Sequence, residues 1–133
     1  MQEQGLLFSD ADIISRYTRA QAIEDGVLVD VSHTSEFKEL RFQFPIALTS
    51  AVLDKCVAVP EGVVYQDWHG RLWDLLSVFK HEARKCHGEQ LRFSLHVRND
   101  NSAGTPPLVA LKAVCGPGDD GEPVITIMLP DED

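Results

Sequence analysis

Residues 91–98, LRFSLHVR, alternate strictly: Leu91, Phe93, Leu95 and Val97 point one way, and Arg92, Ser94, His96 and Arg98 the other. Period-two alternation of apolar and polar side chains is the mark of a strand with one wet face. The segment that follows, NDNSAGTPP (99–107), is a turn region, and LVALKAVC (108–115) reads as the hairpin partner. A second turn, GPGDDGEP (116–123), leads to VITIMLP (124–130), a third strand stopped by Pro130. The C-terminal third is therefore expected to be a three-stranded meander.

Immediately upstream, GRLWDLLSVFKHEARKCHG (70–88) changes period. Leu72, Leu75, Leu76, Phe79, Ala83 and Cys86 recur at helical spacing, and Gly88 supplies a stop. Nearer the N-terminus the elements are shorter. In YTRAQAIEDG (17–26), Thr18 with Gln21 forms a capping box and Gly26 suits a left-handed terminator, so residues 19–25 are expected to be a two-turn helix. VLVDVS (27–32) reads as a strand, and SHTSEFKELR (32–41) as loop. In FQFPIALTSAVLDKCV (42–57), Pro45 keeps Phe44 extended and Thr49 caps a helix to about Cys56. AVPEGVVYQD (58–67) is expected to be a short extended piece. The pattern predicts one α+β domain over residues 15–133, with a mainly antiparallel sheet packed by two or three helices and a loosely ordered lead-in over 1–14.

The totals are consistent with this. A chain of 133 residues with 44% hydrophobic side chains can bury a core without disulfide or metal staples. The net charge is −9, and the last eighteen residues contribute −6 of it through Asp119, Asp120, Glu122, Asp131, Glu132 and Asp133. The body is thus nearly balanced at −3. An acidic chain lacks the cations that displace counterions from phosphate backbones, so direct nucleic-acid binding is not expected, and anionic membranes would repel it. No basic n-region, long apolar h-region or membrane-length apolar run occurs, which points to a cytoplasmic protein. Cys56, Cys86 and Cys115 are odd in number and read as reduced, partly buried small hydrophobes.

Chemistry-bearing patterns are few. His81, Cys86 and His87 are five and six residues apart, whereas ligands on one helix face need spacings of three or four; a solvated helix end is expected and no metal site. No nucleophile elbow, Gly-rich phosphate loop or calcium-loop order is present, so no catalytic residues and no cofactor are assigned. QDWHGRLW (66–73) is the best surface candidate, because its two tryptophans, Trp68 and Trp73, with His69 and Arg71 are amphipathic residues of the kind that anchor interfaces. The plainer expectation has Trp73 on the core and Trp68 at the helix entry. Tyr17 reads as a hydrophobic staple for the first helix.

At YTRAQAIEDGVLVDVS, FPIALTSAV, GRLWDLL and GPGDDGEPVITIMLPDED, the chain resembles a family of small uncharacterised bacterial proteins carried on plasmids, phages and other mobile elements. The resemblance runs from about residue 15 to the end and implies no activity, cofactor or catalytic residue. It implies an accessory role on mobile DNA, a setting that includes inhibitors of host defence proteins. The leading expectation is a non-enzymatic interaction protein, one version being an inhibitor of a restriction or CRISPR protein. It would meet a basic surface on a host or element-encoded partner through Asp119, Asp120, Glu122 and Asp131 to Asp133. Two alternatives stand beside it: a small-molecule-binding domain or small enzyme using Arg19, His69 and Arg71, and a structural homodimer joined at Trp68 or the meander's edge.

Overall fold

A computed structural model describes residues 17–133; the expected lead-in over 1–14 lies outside the described residues. Five strands form one sheet in the order β1-β2-β5-β4-β3: β1 Leu28–Asp30, β2 Ile46–Thr49, β3 Gln90–His96, β4 Leu108–Pro117 and β5 Pro123–Met128. Among the described residues there are four α-helices, α1 Arg19–Glu24, α2 Ser35–Leu40, α3 Ser50–Val52 and α4 Trp68–Ala83, and a π-turn at Leu53–Val57. The α+β class stands.

The three C-terminal strands lie side by side and antiparallel, as their alternation predicts. The sheet as a whole is mixed, however, which corrects the expectation of a mainly antiparallel one. β5 is not the outer strand of a meander. It runs between β4 and β2, and it pairs with β2 in parallel, Ile46 opposite Ile125 and Leu48 opposite Ile127. Alternation reports which face a residue occupies but not which distant strand lies beside it, so a parallel partner nearly eighty residues away left no local trace.

The same register sorts the side chains. Ile46, Leu48, Ile127, Leu111, Phe93 and Leu95 share one face, which the Leu72, Leu75, Leu76 and Phe79 stripe of α4 covers. Phe37, Phe42, Phe79 and Phe93 continue this core as a chain of ring contacts 5.4–5.9 Å apart. Helix α1 begins as the capping box requires: Thr18 Oγ1 accepts from Gln21 N at 3.0 Å, and Thr18 N donates to Gln21 Oε1 at 2.9 Å. Gly26 takes the left-handed conformation, φ 79°, and turns the chain into β1.

Three local expectations need correction. Residues 35–40 are helical, not loop: Thr34 caps Phe37 N, and the Lys80 ammonium of α4 holds the Leu40 carbonyl at the other end. Two apolar residues three apart, Phe37 and Leu40, suffice because α4 supplies the surface to bury them. Residues 58–67 form an irregular loop and contribute no strand. At α4, Asp67 is the cap, accepting from Gly70 N at 3.0 Å, while Trp68 is half-buried against the core and Trp73 is 39% exposed. Trp73 lies one residue off the buried stripe, so the helix turns it to solvent.

Candidate functional site

The acidic C-terminal segment is bound into the fold at three of its six carboxylates. Asp119 reaches the start of α1, where its two oxygens accept from Arg19 N at 2.8 Å and Ala20 N at 3.0 Å. These are orphan N–H groups of a helix terminus, and an anion there also meets the favourable end of the helix dipole. Glu122 closes its own hairpin loop, accepting from Asp120 N at 3.0 Å. Glu132 Oε1 accepts from Thr49 Oγ1 at 2.8 Å and from Leu129 N at 2.7 Å, and its carbonyl takes the Lys112 ammonium at 2.7 Å. Asp120, Asp131 and Asp133 are exposed. The charge that sequence alone offers to a partner is thus partly spent on joining α1 and the start of α3 to the ends of the last strand.

Arg19 belongs to the same construction. Its guanidinium donates to Thr126 Oγ1 at 2.7 Å and to the Ile125 carbonyl at 2.8 Å, fastening α1 across β5. Burial lowers its pKa, and the neighbouring Asp30, Asp119 and Glu122 oppose that. Tyr17 does not act as an apolar staple: it is exposed, and its hydroxyl donates to Asp25 Oδ2 at 2.6 Å, which raises its pKa.

The residues of the 66–73 segment diverge around α4. His69 is on the α2 side, its side chain 68% exposed, with Nδ1 3.2–3.3 Å from the Glu36 carboxylate. Burial alone would raise the Glu36 carboxyl. The bonds it accepts from His69, its own backbone and Ser35 outweigh this and hold it below the usual range.

Arg71 turns the other way and is only 6% exposed. Its five donors are all occupied: Nε by the Val57 carbonyl at 3.0 Å, Nη1 by Gln66 Oε1 at 2.8 Å and the Arg98 carbonyl at 2.6 Å, and Nη2 by the Lys55 carbonyl at 3.3 Å and Asn99 Oδ1 at 2.7 Å. One side chain thereby ties together the π-turn, the 58–67 loop and the 97–107 loop. Every acceptor is neutral. Burial lowers the Arg71 pKa, yet a guanidinium keeps its proton in proteins, so a positive charge lies beneath these loops with no carboxylate bonded to it among the described residues.

Between the two loops lies a cleft of about 530 Å³, lined by Arg71, Arg98, Gln66, His96, Asp74 and Tyr65 among others. Among the described residues Arg98 also bonds only carbonyls, those of Ser102 and Gly104. Asn101 bridges the loops by accepting from Val64 N at 3.0 Å and donating to the Gly62 carbonyl at 2.9 Å. Tyr65 stands at the rim, fully exposed, with φ 64°. Left-handed backbone at a bulky residue is costly, and such strain gathers at functional positions. Val64 and Trp73 are exposed alongside. Asp74, on the same wall, has its pKa raised by burial. Burial likewise pushes the Cys56 thiol up to about 11, so it stays protonated near neutral pH and supplies no thiolate nucleophile.

The sequence singles out Trp68, Trp73, His69 and Arg71 in this region, with Trp73 on the core as the plainer alternative, and misses Tyr65 and Arg98. A positive φ leaves no compositional signal at a tyrosine. Among the described residues no three His, Cys, Asp or Glu side chains group so as to hold a metal ion, and no helix is long and apolar enough to cross a membrane.

A family model matches residues 5–133, nearly the whole chain. The chain belongs to DUF6573, a family of unknown function. No curated protein and no solved structure matches it. Membership in DUF6573 brings no activity or site residues with it, so the functional reading has to come from the geometry.

Proposed function

We propose that this protein is a non-enzymatic interaction protein whose contact face is the loop end around Tyr65, Trp73 and the Arg71–Arg98 cleft. The observation that carries the reading is Tyr65: an aromatic side chain fully exposed on a left-handed backbone, beside a cleft lined by a buried guanidinium that ties its loops together. Tyr, Trp and Arg are the residues that dominate binding energy in interfaces. The two cations with neutral partners suit a partner segment that presents a carboxylate beside an apolar or aromatic group. The resemblance to proteins of mobile elements makes a host restriction or CRISPR protein the first partner to test, with inhibition as the role.

A second reading keeps the acidic end as the contact for a basic partner surface. It is favoured by the exposure of Asp120, Asp131 and Asp133. The two readings separate in affinity capture from host lysate at ~0.1 M and ~0.5 M salt, where the Debye length falls from ~10 Å to roughly half that. An aromatic-centred contact keeps its partner at the higher salt. Contact through the exposed acids loses it. Absence of any captured protein at either salt would count against both.

A further inference from the structure

We propose that a second cavity, at the opposite end of the sheet from Tyr65, binds an anionic amphiphile, an apolar chain of medium length ending in a carboxylate. This goes beyond the interaction reading and does not depend on it. The cavity, about 400 Å³, lies where α4 ends before the sheet does. Its floor is Leu91, Ala113, Cys115 and Ile125, on the core face of the sheet, and its walls include Phe42, Phe44 and Phe79. The size is that of a small-ligand site, and the lining is apolar.

Charge complementarity names the occupant. In a chain of net charge −9, three cations, Arg41, Lys80 and Arg84, line this one apolar cavity against a single acid, Glu89. Lys80 is committed to the Leu40 carbonyl, and neither Arg41 nor Arg84 has an ion-pair partner among the described residues. Arg41 carries a further signature. It terminates α2 in the left-handed conformation, φ 59°, at a position where glycine or asparagine is the unstrained choice. An arginine there costs the fold stability, and in return it places a guanidinium at the cavity's mouth.

The test is isothermal titration calorimetry of the full chain with sodium decanoate, decyltrimethylammonium and 1-decanol, below their aggregation limits, on wild type, Arg41→Gly and Arg84→Gln. The expected result is saturable binding of decanoate at one site, at least tenfold tighter than either other probe. Arg41→Gly should weaken decanoate tenfold or more while its Tm stays level or rises, a combination that a purely structural Arg41 would not produce. Arg84→Gln, an exposed change that leaves the fold alone, should weaken binding in the same direction. No decanoate binding, or binding indifferent to the head group and to both arginines, would overturn the proposal. So would heats that track self-association of the chain, read by sedimentation at the same concentrations, since the cavity would then serve a second copy.

Discussion

Arg71 shows how a charged residue in a surface-looking motif becomes an internal tie. Its five bonds run to three backbone carbonyls and two side-chain amide oxygens, drawn from the π-turn, the 58–67 loop and the 97–107 loop. Replacement by methionine keeps the apolar stem but leaves those acceptors without donors. Arg71→Met should therefore cost about 3 kcal/mol or more by urea unfolding, well above the cost of an exposed substitution. Arg71→Lys should recover only a small part, because an ammonium cannot reproduce a planar five-donor fork. Glu36 gives the pH counterpart. Its folded carboxyl is held below the ordinary range, so the stabilisation is present at neutral pH and disappears as pH falls through the folded value. Glu36→Gln should lower stability by about 1 kcal/mol at pH 7, and the two proteins should converge in acid when Tm is followed against pH. Divergence that persists at low pH would assign the loss to packing.

At the scale of elements, local chemistry was legible wherever it was written in adjacent residues. The Thr18–Gln21 box, Gly26, the stripe of α4 and the alternation of residues 91–98 each name their structure directly. Helix α2 was not legible, because Phe37 and Leu40 make a helical face only against α4, and its C-terminus is held by Lys80 from forty residues away. The end of α1 shows the same dependence: part of its N-terminal capping comes from Asp119, a hundred residues on. Asp119→Ala should destabilise the protein by about 1 kcal/mol, and amide exchange should accelerate first in residues 19–24. Asp120→Ala, at an exposed neighbour whose side chain caps nothing among the described residues, should change neither. Equal effects at the two positions would make the hairpin's acids interchangeable surface charge.

For the whole molecule, composition correctly marks an acidic chain whose charge sits at one end, but it misplaces the consequence. Asp119 and Glu132 tie the ends of the last strand to α1 and to Thr49 at the start of α3, Glu122 closes its own hairpin, and five of the twelve Lys and Arg side chains line two cavities at opposite ends of the sheet. Pairing of β2 with β5 is the long-range event that creates this layout, since it carries the last strand into the middle of the sheet and leaves its terminal turns beside α1 and α3. Sequence patterning could not show it. Nor could it show that Trp73 faces water while Arg71, two residues earlier, is buried.

The most direct test of the proposed contact face compares two variants against the partner recovered by affinity capture. In one, Tyr65→Ala is combined with Trp73→Ala; in the other, Asp120, Asp131 and Asp133 are all changed to Asn. Binding is measured by calorimetry at ~0.15 M salt, with circular dichroism confirming that both variants fold. The aromatic double variant should lose at least a hundredfold in affinity, about 2.7 kcal/mol, while the triple Asn variant stays within threefold of wild type. The reverse pattern would contradict the proposed contact face and return the acidic end to the role of binding surface.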